Sequence, residues 1–104
     1  MTADNQLKII VNRIVEFYHP ETIILFGSMA EGNATDESDI DLLLVKDTSD
    51  PPVERAAGIR RSLKDILLPM DILVFTPDEI EKDRNRKFSF VHQVMKSGKV
   101  LYAR

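Results

Sequence analysis

Apolar positions along this chain follow two rhythms, one helical and one extended, and they divide it into alternating elements. Leu7, Ile10, Val11, Ile14 and Tyr18 recur at helical spacing, which predicts a first helix with Asp4 available as its N-cap. His19-Pro20 ends it, because a residue before proline is pushed out of the α region. Thr22 to Phe26 is β-branched and aromatic and predicts a short strand that stops at Gly27. Ser28 to Glu31 has room for one helical turn, and Gly32 to Ser38 is polar and reads as a loop. Asp39 to Val45 is a second strand.

The pattern then repeats. Asp50-Pro51-Pro52 caps and opens a third helix, proline being tolerated in a first turn, with Ala56, Ile59, Leu63, Ile66 and Leu67 as its buried stripe. Pro69 breaks it, and Met70 to Phe75 is a third strand. Thr76-Pro77 opens another helix, and Pro77 to Lys87 is almost entirely charged, the pattern of a solvated helix and loop. Phe88, Val91, Val94 and Met95 give a last helix its apolar side, Gly98 is its C′ stop, and Lys99 to Ala103 adds a short strand. Strands alternating with helices predict an α/β sandwich.

Composition narrows the class. The 104 residues suffice for one domain with a single core. The net charge of −3 argues against a protein that coats nucleic acid through its own surface field. With no cysteine, neither a disulfide framework nor a thiolate zinc site is available. His19 and His92 are too few and too scattered for an imidazole cluster, and His92 and Tyr102 read as packing residues rather than catalytic groups. No apolar run approaches the ~20 residues that cross a bilayer. The N-terminus lacks a signal-peptide pattern, so a cytoplasmic protein is expected.

The chemistry concentrates between Phe26 and Val45. Asp39 and Asp41 interrupt a run that otherwise reads as a buried strand, where carboxylates are costly unless a cation neutralises them. Strand alternation points both the same way, about 6.6 Å apart along the strand, with Ile40 and Leu42 facing the core. Asp71 sits near the start of the third strand, so neighbouring strands would gather three carboxylates. Hard oxygen donors with room for water and phosphate suit Mg²⁺. Two such ions ~3.5–4 Å apart stabilise the attacking and leaving oxygens of a phosphoryl displacement. On the other side, Gly27 allows close backbone approach, and the turn that follows, with the Ser28 hydroxyl, offers donors to phosphate oxygens.

At these residues the chain resembles the nucleotidyltransferase superfamily related to DNA polymerase β and kanamycin nucleotidyltransferase. The match runs through Gly27-Ser28-Met29-Ala30-Glu31-Gly32, a five-residue spacer, and Ser38-Asp39-Ile40-Asp41-Leu42. Length and element order resemble the minimal nucleotidyltransferases found beside HEPN-domain partners. The resemblance implies a polymerase β-like α/β fold, with a small mixed sheet of three to four strands packed against helices, over residues 1–104. It also implies an antitoxin that transfers AMP from ATP to a tyrosine of a HEPN ribonuclease toxin. Asp39 and Asp41 would then be ligands of two Mg²⁺ ions and Asp71 a ligand of the catalytic one. Gly27 and Ser28 would hold the β- and γ-phosphates, with Ser38 also at the nucleotide. The chain departs from the pattern at Glu31, where many members carry a basic residue.

The size of the chain leaves no second domain for an acceptor, so the expected acceptor is bound by, or is, a hetero-oligomeric partner. No membrane and no direct nucleic-acid contact are expected. Two other readings stay open on sequence: an antitoxin acting by contact alone, and a transferase for RNA or a small molecule working with a partner subunit.

Overall fold

The computed structural model describes residues 3–27, 30 and 39–104. A helix α1 (Ala3–Tyr18) leads into β1 (Thr22–Phe26), and β2 (Ile40–Val45) follows. Two short helices, α2 (Pro52–Arg55) and α3 (Ala57–Ser62), connect to β3 (Met70–Phe75). The chain then runs through α4 (Pro77–Asp83) and α5 (Phe90–Ser97) into β4 (Lys99–Ala103). The strands form one mixed sheet in the order β3-β2-β1-β4. β1 is antiparallel to both β2 and β4, whereas β2 and β3 are parallel.

Alternation along the strands sorts the core into two layers. Ile23, Leu25, Ile40, Leu42, Leu44, Ile72 and Val74 face α1 and α3, meeting Leu7, Ile10, Ile14, Ile59 and Leu63. On the opposite face Ile24, Leu43 and Val45 meet Ile80 of α4 and Val91 and Val94 of α5, with Phe26 and Phe75 packed beside them. β2 is therefore buried on both faces from Leu42 to Val45, which is why its apolar run is continuous rather than alternating.

The junction after β3 is held by a polar knot. Thr76 Oγ1 accepts from the Glu79 amide at 3.2 Å, and Glu79 Oε1 accepts from the Thr76 amide at 2.8 Å, a reciprocal capping box that starts α4. The same Glu79 oxygen accepts from Nη1 of the buried Arg55 at 2.7 Å. Arg55 also donates to the carbonyls of Val74 (3.1 Å) and Asp50 (2.9 Å). Arg60 reaches the Ile72 carbonyl at 3.4 Å. Two arginines thus occupy outward-facing carbonyls of the edge strand β3, groups that would otherwise offer a pairing template.

Several local expectations are corrected. The helix expected from Pro52 to Leu67 breaks at Ala56 into α2 and α3, and Leu67 is 93% exposed instead of buried. Asp50 is not a cap: the N-cap of α2 is Pro51, without a side-chain bond, and Asp50 serves through its carbonyl. α1 is described from Ala3, which puts Asp4 inside the helix rather than at its cap. His19 ends α1 with a φ of 52°. α5 begins at Phe90, with Ser89 as N-cap accepting from the His92 amide, so Phe88 lies outside it, and Met95 is 40% exposed. Gly98 has an extended backbone; it must be glycine because a Cβ there would press on the Val94 carbonyl and on Ile24. The turn expected over Ser28 to Glu31 and the loop over Gly32 to Ser38 lie outside the described residues, apart from Ala30, whose amide donates to the Gly27 carbonyl at 3.1 Å.

Two stability predictions follow from this frame. Arg55→Ala removes three donors from a buried position and lowers unfolding free energy by about 2–3 kcal/mol in urea denaturation at pH 7. Arg55 holds the Glu79 carboxyl below its ordinary range, with the Thr76 amide assisting. That contribution is present above the unfolded carboxylate pKa of about 4.3 and is lost as pH falls through the lower folded value. The gap between wild type and Arg55→Ala therefore narrows when the titration is repeated below about pH 4. Phe88, 88% exposed, sits at φ 73°, a region that penalises a side chain with a Cβ. Phe88→Gly raises stability by about 1 kcal/mol, read as a higher thermal midpoint.

Candidate active site

The sheet brings residues from three strands into one row. β1 pairs with β2 so that Phe26 stands opposite Asp41, and β2 pairs with β3 so that Asp41 stands opposite Asp71. Directly paired residues project to the same side, so Phe26, Asp41 and Asp71 share the face that carries α4 and α5. Asp39 lies one residue before β2 and is exposed. Ile40, which follows it, donates its amide to the Pro69 carbonyl at 3.0 Å, extending the β2–β3 ladder to the edge where the acids cluster.

The three carboxylates feel one another. Asp41 is pushed above the ordinary carboxylate range, first by burial, then by the charges of Asp71 and Asp39 and by a hydrogen bond with Asp71. Behind the acids, Ile40, Leu42 and Ile72 are almost completely buried, so the charges cannot relax into the protein. They can only be relieved from the open side.

Gly27 closes the β1 flank. Its φ is +77°, and a Cβ built there would collide with Oδ2 of Asp41. Conformation and space both demand glycine at this point. The backbone consequently lies directly against the central carboxylate, and the polar segment 28–38 leaves from here and rejoins at Asp39. Of the expected phosphate-binding residues, Gly27 is placed, while Ser28 and Ser38 lie outside the described residues, as does Glu31.

The donor set suits a hard divalent cation. Among the described residues it offers the carboxylate oxygens of Asp41, Asp71 and Asp39, hard donors of the kind such a cation takes. No group of three or more acidic or histidine side chains among the described residues is placed so as to hold a metal ion by itself. Two contacting carboxylates with a third in electrostatic reach instead leave positions for phosphate oxygens and water.

Sequence reading missed Phe26 as a neighbour of the site, because cross-strand register is needed to see it. It also missed Phe90. Its ring centroid lies 5.3 Å from that of Phe26, edge to face, and 6.2 Å from that of Phe75, nearly parallel. His92 and Tyr102, expected as packing residues, behave as such: His92 Nδ1 bonds the Arg84 carbonyl at 2.8 Å, and Tyr102 packs against the α1 side of the core.

The raised Asp41 has a consequence for stability. A carboxyl whose folded pKa lies above its unfolded value opposes folding once pH rises through that range. Without divalent cation, Asp41→Asn therefore raises the thermal midpoint at pH 7, and the advantage disappears near pH 3, where both forms are neutral. Differential scanning calorimetry in chelator at the two pH values checks this.

Comparison with known proteins identifies the family. The family model for polymerase beta nucleotidyltransferases matches residues 8–104. A protein of Methanocaldococcus jannaschii named "Putative protein adenylyltransferase MJ0604" is 34% identical over 107 residues, covering 98% of this chain and all of its own. Among solved structures, a "putative nucleotidyltransferase" from Sulfolobus solfataricus aligns with a TM-score of 0.68 at 27% identity, over 96% of this chain and 79% of its own. A toxin–antitoxin structure with AMP-PNP shares the fold, with a TM-score of 0.62 at 20% identity over 99% of this chain and 75% of its own. So does a toxin–antitoxin structure named MntA-HpeT, at 0.59 and 21% over 100% and 75%. The chain belongs to the polymerase beta nucleotidyltransferase family, and its activity is the transfer of a nucleotide.

Proposed function

We propose that the protein is a Mg²⁺-dependent adenylyltransferase that moves AMP from ATP onto a tyrosine hydroxyl of a HEPN ribonuclease toxin and so silences it. The observation that carries the reading is the row of acids: Asp41 opposite Asp71, with the Asp39 charge also acting on Asp41 and the Gly27 backbone against it. The relative named as a protein adenylyltransferase supports a protein acceptor. The toxin–antitoxin neighbours, one with AMP-PNP, support the nucleotide and the class of partner.

In this reaction Asp39 and Asp41 would hold both metal ions and Asp71 the catalytic one, and Mg²⁺ held there would supply charge neutralisation for the carboxylates and the phosphate oxygens. Gly27 and Ser28 place the β- and γ-phosphates, with Ser38 at the nucleotide, so that the α-phosphorus faces the acceptor. The tyrosine oxygen forms a bond to the α-phosphorus, the α–β bridging bond breaks, and pyrophosphate carries away its electron pair. Asp71 would accept a hydrogen bond from the acceptor hydroxyl, whose proton passes to solvent as the new bond forms. The apolar backing by Ile40, Leu42 and Ile72 holds these groups in place, so the acceleration comes from positioning and charge neutralisation.

The test uses α-labelled ATP, Mg²⁺ and the co-purified toxin. Asp39→Asn with Asp41→Asn lowers label transfer by at least about a hundredfold while circular dichroism shows an intact fold. Wild-type protein adds one or more AMP masses to the toxin. Undiminished protection of cells by the double variant would instead favour inhibition by contact.

A further inference from the structure

The acid-bearing face of the sheet changes character within two residues of the carboxylates. The Asp41 site has three flanks. On the β1 side the Gly27 backbone abuts the carboxylate, and the polar segment 28–38 begins there. On the β3 side Asp71 closes the row. The remaining direction runs along the same face, down β2 and β3. There Leu43 is fully buried beneath the α4–α5 layer, and the solvent-facing side chains are Leu73, two residues after Asp71 and 37% exposed, and Phe90, 44% exposed.

Phe90 is unusually fixed for a half-exposed ring. It bridges Phe26 on β1 and Phe75 on β3, crossing β2, with an edge-to-face contact on one side and a near-parallel one on the other. Phe26 is the direct cross-strand partner of Asp41. One aromatic ring therefore separates Phe90 from the central carboxylate. Packing of α5 is already supplied by Val91 and Val94, which are buried, and it does not require a clamped ring left open to solvent beside a charged site.

We infer that Phe90 is the platform on which the nucleobase of the bound nucleoside triphosphate rests. This rests on the reading of the acids as the nucleotide site. A triphosphate is polyanionic at one end and flat and aromatic at the other. Its charged end belongs at the cation-binding carboxylates. The base must then leave on the apolar side, the direction in which Leu73 and Phe90 lie. Aromatic stacking holds a base by its face at modest selectivity, and the preformed Phe26–Phe90–Phe75 cluster spares the cost of ordering the ring on binding.

The test measures binding of ATP and of tripolyphosphate, each with Mg²⁺, to the full chain by calorimetry. Phe90→Leu keeps an apolar side chain against Phe26 and Phe75 but removes the ring. It is expected to weaken ATP about tenfold or more while leaving tripolyphosphate affinity unchanged, and Phe90→Trp is expected to retain ATP affinity. Unchanged ATP affinity in Phe90→Leu overturns the inference. So does equal loss of both ligands, which would report displacement of α5. A fall in transfer to the partner with ATP affinity intact also overturns it, by assigning the ring to the acceptor. If wild type binds neither ligand, or Asp39→Asn with Asp41→Asn binds both normally, the nucleotide site itself is misplaced and the platform falls with it.

Discussion

The pairing of Asp41 with Asp71 on one face of the sheet, where burial and the neighbouring charge oppose ionisation of Asp41, is the constraint on which the candidate site depends. Parallel pairing of β2 with β3 puts the two carboxylates side by side, and the register is held by Ile40, Leu42, Ile72 and Val74, whose burial on the opposite face resists any slip. A one-residue shift would move the acids into the core and expose the apolar set. The hydrophobic layer thus maintains an electrostatic arrangement that would separate if left to itself. A cation on the open side would resolve the conflict, and the proposed chemistry uses that preference.

The two faces of the sheet divide the labour. The face toward α1 and α3 is fully covered and supplies the apolar backing. The other is covered only in part: α4 and α5 bury Ile24, Leu43 and Val45 and leave the row of acids open. What fixes the extent of that cover is the knot of Arg55, Thr76 and Glu79 at the far end of β3. It starts α4 at a set point and ties it to α2 through a buried guanidinium. A short helix with little apolar surface would be weakly positioned by packing alone. Charge-assisted hydrogen bonds supply the missing constraint.

Much of this was legible in the letters. The four strands lie close to where β-branched and aromatic runs placed them, since a short apolar segment bounded by glycine, proline or polar residues has few alternatives. β2 starts at Ile40, leaving Asp39 just outside it. The meeting of the acids needed only the assumption that β2 and β3 are neighbours. Other features resisted. The break at Ala56 and the exposure of Leu67 lie in the crossover from β2 to β3, where the apolar spacing alone reads as one continuous helix. Gly98 was anticipated as a stop by backbone freedom, yet it is needed for space, with Val94 and Ile24 crowding the position a Cβ would take.

Sequence by itself determined the elements, the acids and glycine that carry the site, and the family they resemble, because these depend on local propensity and on residue types at fixed spacing. Tertiary structure alone decided that Phe26 stands against Asp41, that Phe90 crosses from β1 to β3, and that Arg55 is buried under Val74 and Glu79. Each of these joins residues far apart in the chain or depends on cross-strand register. Such contacts arise from the way sheet and helices pack, and no local pattern encodes them.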